Sequence, residues 1–264
     1  MLIGGETGSG KSNILKLLVY QALVKGYDTT LIDFKRGVSF SNFNGLVEIV
    51  YEYEKAAETL ENMVNETKRR LDLFRMTKVD NIKDYNKITT LTNLKREIIF
   101  IDELAELLNT RDKELSNRLY DALETLTRLS RCTGIHLLIG IQRPDSTIIS
   151  GQIKNNISCR ICGRFVDKEP SRIMLSCDDA SKLANIKGRF LIKDDELQEF
   201  QSFYFLDNID FSVNTEPEKM VEETILQAEQ AQKNDSDNEP QAKNDEILNS
   251  LDFDFHDVKN EIVQ

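Results

Sequence analysis

The chain has 264 residues, 40% of them hydrophobic and 30% charged, and a net charge of −11. That length holds one sizeable domain and a tail. No apolar run approaches the ~20 residues of a membrane helix, which excludes a membrane span within this stretch, and no signal peptide is visible because the first residues already belong to a motif. The charge is unevenly placed: from Leu206 onward there are 16 acids against 4 bases, which leaves 29 acids and 30 bases in the body. A near-neutral body with an acidic tail remains compatible with nucleic-acid binding by the body.

The first element is a short apolar strand, Met1-Leu2-Ile3, running into Gly5-Glu6-Thr7-Gly8-Ser9-Gly10-Lys11-Ser12. This fits G-x-x-x-x-G-K-[ST], the phosphate-binding P-loop. Its glycines let successive N–H groups converge on phosphate oxygens, and the helix that follows offers its positive end to the same charge. Lys11 is placed to reach the β- and γ-phosphates and the Ser12 hydroxyl to bind Mg2+, so ATP with Mg2+ is the expected ligand pair. Asn13 to Val24 carries apolar residues at helical spacing, with Gly26 at the stop.

Thr29 to Phe34 reads as a buried strand, Gly37 to Gly45 as a loop, and Glu54 to Phe74 as a long amphipathic helix. The charged face of that helix (Lys68, Arg69, Arg70) reads as solvated surface in preference to a DNA patch. Val79 to Leu94 is polar and irregular. Ile98-Ile99-Phe100-Ile101-Asp102-Glu103 is a buried strand with two acids at its C-terminal end, the edge where ligands bind in open α/β sheets. After a P-loop this reads as a Walker B motif: Asp102 holds Mg2+ through water, and Glu103 orients and deprotonates the attacking water. Glu114 to Leu129 is a further amphipathic helix. Ile135 to Gln142 is a third strand, whose terminal Gln142 is suited to sensing the γ-phosphate or positioning water. His136 reads as structural.

Ile157 to Val166 reads as a fourth strand containing Cys159 and Cys162. A C-x-x-C on a strand places its thiols on opposite faces, so neither zinc nor disulfide chemistry is expected. Ser171 to Ala184 suggests short helices, and 188–193 with 200–206 a closing strand pair. The alternation implies an α/β fold, a mostly parallel sheet flanked by helices. Beyond Val213 the composition becomes disordered in character. Glu216 to Gln232 reads as a solvated helix. Ile247, Leu248, Leu251, Phe253 and Phe255 read as a frayed end or as a short motif that folds onto a partner.

Several strings together resemble the FtsK/SpoIIIE family of hexameric DNA-pumping ATPases. Gly5 to Ser12 is similar to its Walker A, and Leu31-Ile32-Asp33-Phe34-Lys35 to its strand ending in Asp-Pro-Lys. Ile99-Phe100-Ile101-Asp102-Glu103-Leu104-Ala105 is similar to its extended Walker B. Arg128-Leu129-Ser130-Arg131-Cys132-Thr133-Gly134-Ile135-His136-Leu137, Gln142-Arg143-Pro144 and Ile148 to Ile157 follow the family pattern in order. Phe34 replaces the usual Pro, and 186–190 departs from Gly-Arg-Gly-Asp-Met. The resemblance covers about residues 1 to 205.

It implies a RecA-like P-loop NTPase domain over 1–206, which moves double-stranded DNA as a homo-hexameric ring, and an acidic tail over 207–264. In such rings an arginine from a neighbour completes the ATP site. Arg128, Arg131 and Arg160 are the candidates, each of them more readily read as a structural ion-pair partner, and Lys187 is a weaker candidate. The shorter members encoded on Gram-positive plasmids and conjugative elements are the nearer resemblance, which implies a role in DNA transfer with a membrane channel or transfer machinery as partner through the tail. The family's front portion, with its further strands and membrane helices, is expected to be missing. Localisation is expected in the cytoplasm, at the inner face of the membrane if partners bring it there. A protein-secretion ATPase of the type VII kind and an inactive truncated remnant are the other two readings.

Overall fold

A computed structural model of the chain describes residues 1–206 apart from 91–92, 146–147 and 150. The helix expected over 216–232 and the apolar anchors beyond it lie outside the described residues. Eight strands form one sheet: β1 (Leu2–Gly4), β2 (Asp28–Ile32), β3 (Glu48–Val50), β4 (Glu97–Ile101), β5 (Ile135–Ile141), β6 (Arg160–Gly163), β7 (Arg189–Lys193) and β8 (Leu197–Gln201). Their spatial order is β3-β2-β4-β5-β1-β6-β7-β8. Pairing is parallel from β3 through β6, and β7 is antiparallel to both β6 and β8.

The helices are α1 (Lys11–Val24), α2 (Tyr53–Thr77), α3 (Ile82–Ile88), α4 (Leu104–Leu107), α5 (Lys113–Leu129), α6 (Gly151–Asn156) and α7 (Lys168–Leu175). Successive strand residues point to opposite faces, so each buried strand feeds two cores. Ile98 and Phe100 join Ile14, Leu15, Leu18 and Val19 of α1 on one face. Ile99 and Ile101 join Leu60 of α2 and Leu119, Leu123 and Leu126 of α5 on the other. These runs are apolar without alternation because both faces are covered. Arg118 of α5 ties the second layer together, reaching Glu54 at 2.6 Å and Glu61 at 2.8 Å on α2.

Cys159 packs into the α1-side core and Cys162 into the opposite one. Both thiols are free, and burial pushes Cys159 up to about 11 and Cys162 up as well. Among the described residues no helix is long and apolar enough to cross a membrane, and no three Cys, His, Asp or Glu form a metal cage.

One strand was missed and three expectations need correction. The missed strand is β3, which lies between the expected 37–45 loop and the long helix; three residues are too few to show a period. The fourth strand is four residues long, shorter than 157–166: before it the Ile157 carbonyl accepts from the Arg160 side chain, and after it Arg164, Phe165 and Val166 bond Glu6 and Ala180 outside the ladder. The last strand is β8, and 202–206 instead leaves the ladder as an extended strap. Arg70, read as solvated, is 3% exposed. Its guanidinium bonds Glu66 at 2.7 Å, the carbonyls of Lys95 and Thr133 at 2.8 and 2.9 Å, and the Glu97 carboxylate.

Candidate active site

The parallel strands bring several chain segments to one sheet edge. β1 lies between β5 and β6, so the loop leaving its C-terminal end is flanked by Gln142, which follows β5, and by Gly163 at the end of β6. Asp102 and Glu103 follow β4, and Asp33 follows β2. The loop is pinned from outside: Gly5 N–H donates to the Ile141 carbonyl at 3.2 Å and Gly188 N–H to the Ser9 carbonyl at 2.8 Å. Glu6 accepts from Val166 N–H at 2.6 Å. Gly10 sits at φ 103°, where a side chain is strained, and this lets the chain turn directly into α1.

Among the described residues, the N–H groups of Gly8, Gly10, Lys11 and Ser12 take no part in the loop's own backbone bonds, and the buried Ser9 hydroxyl has no partner. A ring of unspent donors at a helix N-terminus fits a phosphate chain. The oxygen donors fit Mg2+ too. It takes few protein ligands and keeps phosphates and waters, and the Ser12 hydroxyl and Asp102 carboxylate are oxygens of the kind it binds.

Lys11 is 4% exposed, and its Nζ donates to the Asp102 carbonyl at 2.5 Å. The same ammonium lies 3.5 Å from Asp102 Oδ1 and 3.6 Å from Glu103 Oε2. Asp102 Oδ2 faces Lys35 Nζ at 3.2 Å. Two buried carboxylates thus meet two ammoniums. Burial raises the Glu103 carboxyl above its ordinary value, opposed by Lys11 and by the Gln142 N–H, which donates to it at 2.9 Å. For Lys35, burial works downward, but Asp102, Glu106 and Asp33 outweigh it and the net shift is upward.

Three residues that the sequence reading gave no role build this arrangement. Asp33 accepts from Lys35 N–H at 2.9 Å and Gly37 N–H at 3.0 Å, which folds the turn that aims Lys35 at Asp102. Gly140 leaves room for Lys11: a Cβ there would lie 2.1 Å from the Asp102 carbonyl and 3.0 Å from Lys11 Nζ. A glycine inside Leu138-Ile139-Gly140-Ile141 was the available signal, since strand glycines mark close approach. Asn13 holds the strap, donating to the Phe203 carbonyl at 2.6 Å and accepting from Phe205 N–H at 2.7 Å. A cavity of ≈ 360 Å³ joins Glu6 to Asn13 with Gln142, Lys187 and the strap.

The arginines lie elsewhere. Arg160 opens β6 opposite Leu2, at the N-terminal edge, and its guanidinium bonds the carbonyls of Ile157, Met174 and Lys154. Arg131 is exposed in the 131–133 turn just before β5, at the same far edge, and Arg128 is exposed at the end of α5. None of them is brought to this subunit's P-loop. Lys187, in contrast, lines the cavity beside its own loop.

A parallel sheet with helices on both faces, a glycine-rich loop leading into α1, and a Lys-Asp-Glu cluster at the strand ends define a RecA-like P-loop ATPase. The family model described as FtsK/SpoIIIE matches residues 1–146, and the chain belongs to that family. The DNA translocase FtsK of Staphylococcus aureus (strain Mu50 / ATCC 700699) is 31% identical over 265 aligned positions, covering 88% of this chain and 33% of that protein. The chain therefore spans about a third of the length of the curated relatives it matches. Among solved structures, the pCW3 conjugation coupling protein TcpA, in its monomer form with ATPγS, is 43% identical with a TM-score of 0.76, over 84% of this chain and 64% of that one. The cytoplasmic domain of the Thermomonospora curvata type VII secretion ATPase EccC is 26% identical with a TM-score of 0.64, over 84% of this chain and 27% of that one.

Proposed function

We propose that this chain hydrolyses ATP to drive double-stranded DNA, as the motor part of a coupling protein in conjugative or plasmid transfer. The observation that carries the reading is the convergence of Lys11, Asp102, Glu103 and Gln142 on one side of the P-loop. Free loop N–H groups and Lys11 bind the phosphates. Glu103, with its raised carboxyl held by the Gln142 N–H, takes the proton of the attacking water. Ser12 and Asp102 would hold Mg2+, which would supply charge neutralisation to the phosphates. A homo-hexameric ring is the assembly, and a neighbour's arginine completes each site. Arg160 is the least suited of the three candidates, since its guanidinium is half-buried and serves three carbonyls, whereas Arg128 and Arg131 are exposed on the surface. The protein works in the cytoplasm, and the acidic 207–264 segment meets the transfer machinery.

The similarity to a conjugation coupling protein at 43% identity favours DNA over an exported polypeptide. The test is an ATPase assay of the full chain with and without duplex DNA, paired with mass measurement. DNA-stimulated turnover that is lost in Lys11→Ala and Glu103→Gln is expected. Stimulation by an exported peptide in place of DNA supports the secretion reading, for which the likeness to EccC speaks. A monomer that binds no ATP identifies a remnant.

A further inference from the structure

The strap over 202–206 has no role in the proposal above, yet it forms one wall of the nucleotide cavity. Residues alternate along it. Phe205 is 1% exposed and seated, with its ring 5.5 Å from Phe43 and 6.3 Å from Tyr20, and with Lys16 Nζ 5.7 Å above it. Its neighbour Tyr204 is 48% exposed, lines the cavity and makes no ring contact among the described residues. Asn13 fixes both neighbours of Tyr204 through the Phe203 carbonyl and the Phe205 N–H. The ring is thus held by its backbone and left open on its face.

Direction within the cavity follows from the phosphate chemistry. A triphosphate takes the lining at Gly8, Gly10, Lys11 and Ser12, with its γ end towards Glu103 and Gln142. Its other end then runs over the first turns of α1, where the lining includes Asn13, Lys16, Ser39, Tyr204 and Phe205. A flat aromatic group there meets an aromatic face, and stacking is the favourable contact two such faces make.

We infer that the Tyr204 ring is the platform for the nucleobase, with Asn13 as the residue that positions it. This rests on the nucleotide-binding reading above. A ring face accepts any base, so the class recognised is the aromatic nucleoside end of a nucleoside triphosphate.

The test is calorimetric titration of the full chain with Mg2+ and either ATPγS or inorganic tripolyphosphate. Replacing Tyr204→Ala is expected to weaken ATPγS about tenfold and to leave tripolyphosphate unchanged to within roughly twofold, while Tyr204→Phe keeps the wild-type affinity. Tyr204 is exposed, so these variants keep the fold. Unchanged ATPγS affinity in Tyr204→Ala overturns the inference, and so does a parallel loss of both ligands. If wild type binds tripolyphosphate as tightly as ATPγS, the P-loop reading stands and the base platform falls. If wild type binds neither, the nucleotide reading falls and this inference with it.

Discussion

At Glu103 burial and nearby charge act against each other. Its carboxyl is 7% exposed, and burial raises it above the ordinary value of 4.5 despite Lys11 and the Gln142 N–H. A raised folded-state value means that protonated Glu103 favours folding below about pH 4.5 and that this contribution is lost as pH rises through the folded value. Glu103→Gln stays neutral throughout, and its side-chain oxygen still accepts from Gln142. Thermal melts between pH 4 and 8 are therefore expected to show the variant gaining on wild type as pH rises, together with loss of ATP hydrolysis. A gap that narrows with rising pH contradicts this account. At this scale the sequence was readable where chemistry and spacing coincide: Lys11, Asp102, Glu103 and Gln142 each sit where a strand or loop ends. Gly140 was not read, because its role is to be absent from the space that Lys11 crosses.

At the scale of elements, Arg70 joins α2 to the sheet edge. It links Glu66 on its own helix to Glu97 at the start of β4 and to two carbonyls. Removing one partner of such a buried network strands the other; Glu97 is already raised by burial and is held down chiefly by Arg70. Arg70→Ala is expected to cost about 3 kcal/mol or more, read from denaturant melts. The double variant Arg70→Ala/Glu97→Ala should be more stable than the sum of the two single losses predicts. Additive losses say that the pair is not coupled. The helical period placed α2 correctly and misjudged one side chain on it. Amphipathic patterning assigns faces from residue type, and it counts every arginine as solvent-facing.

At the scale of the molecule, the question is where the folded unit ends. We propose that Phe205 anchors its C-terminal side, because it fills a pocket against Phe43 and Tyr20 while Asn13 holds the backbone beside it. A 1–206 chain is expected to melt within about 2 °C of the full chain, whereas a 1–201 chain loses the Phe205 anchor and melts lower, as burial of one large aromatic is worth roughly 3–5 kcal/mol. Equal melting of the two shortened chains places the boundary earlier. Losing 207–264 also removes the acidic surplus, so the 1–206 body is expected to elute from a cation exchanger at higher salt than the full chain.

The amino-acid sequence alone determined the motifs, the α/β alternation and the family. Each of these depends on short-range facts: glycines that shape a loop, apolar runs buried on both faces, and acids that end a strand. Tertiary structure decided what those facts leave open. It put the P-loop between β5 and β6, left Arg131 and Arg160 at the far edge, buried Arg70, and set Tyr204 in the wall of the cavity that the P-loop lines. Each of these outcomes depends on pairs distant in the chain, such as Asn13 with Phe205 or Arg70 with Glu97. Such contacts leave no local period to read, because burial and partner are assigned only when the sheet order brings the segments together.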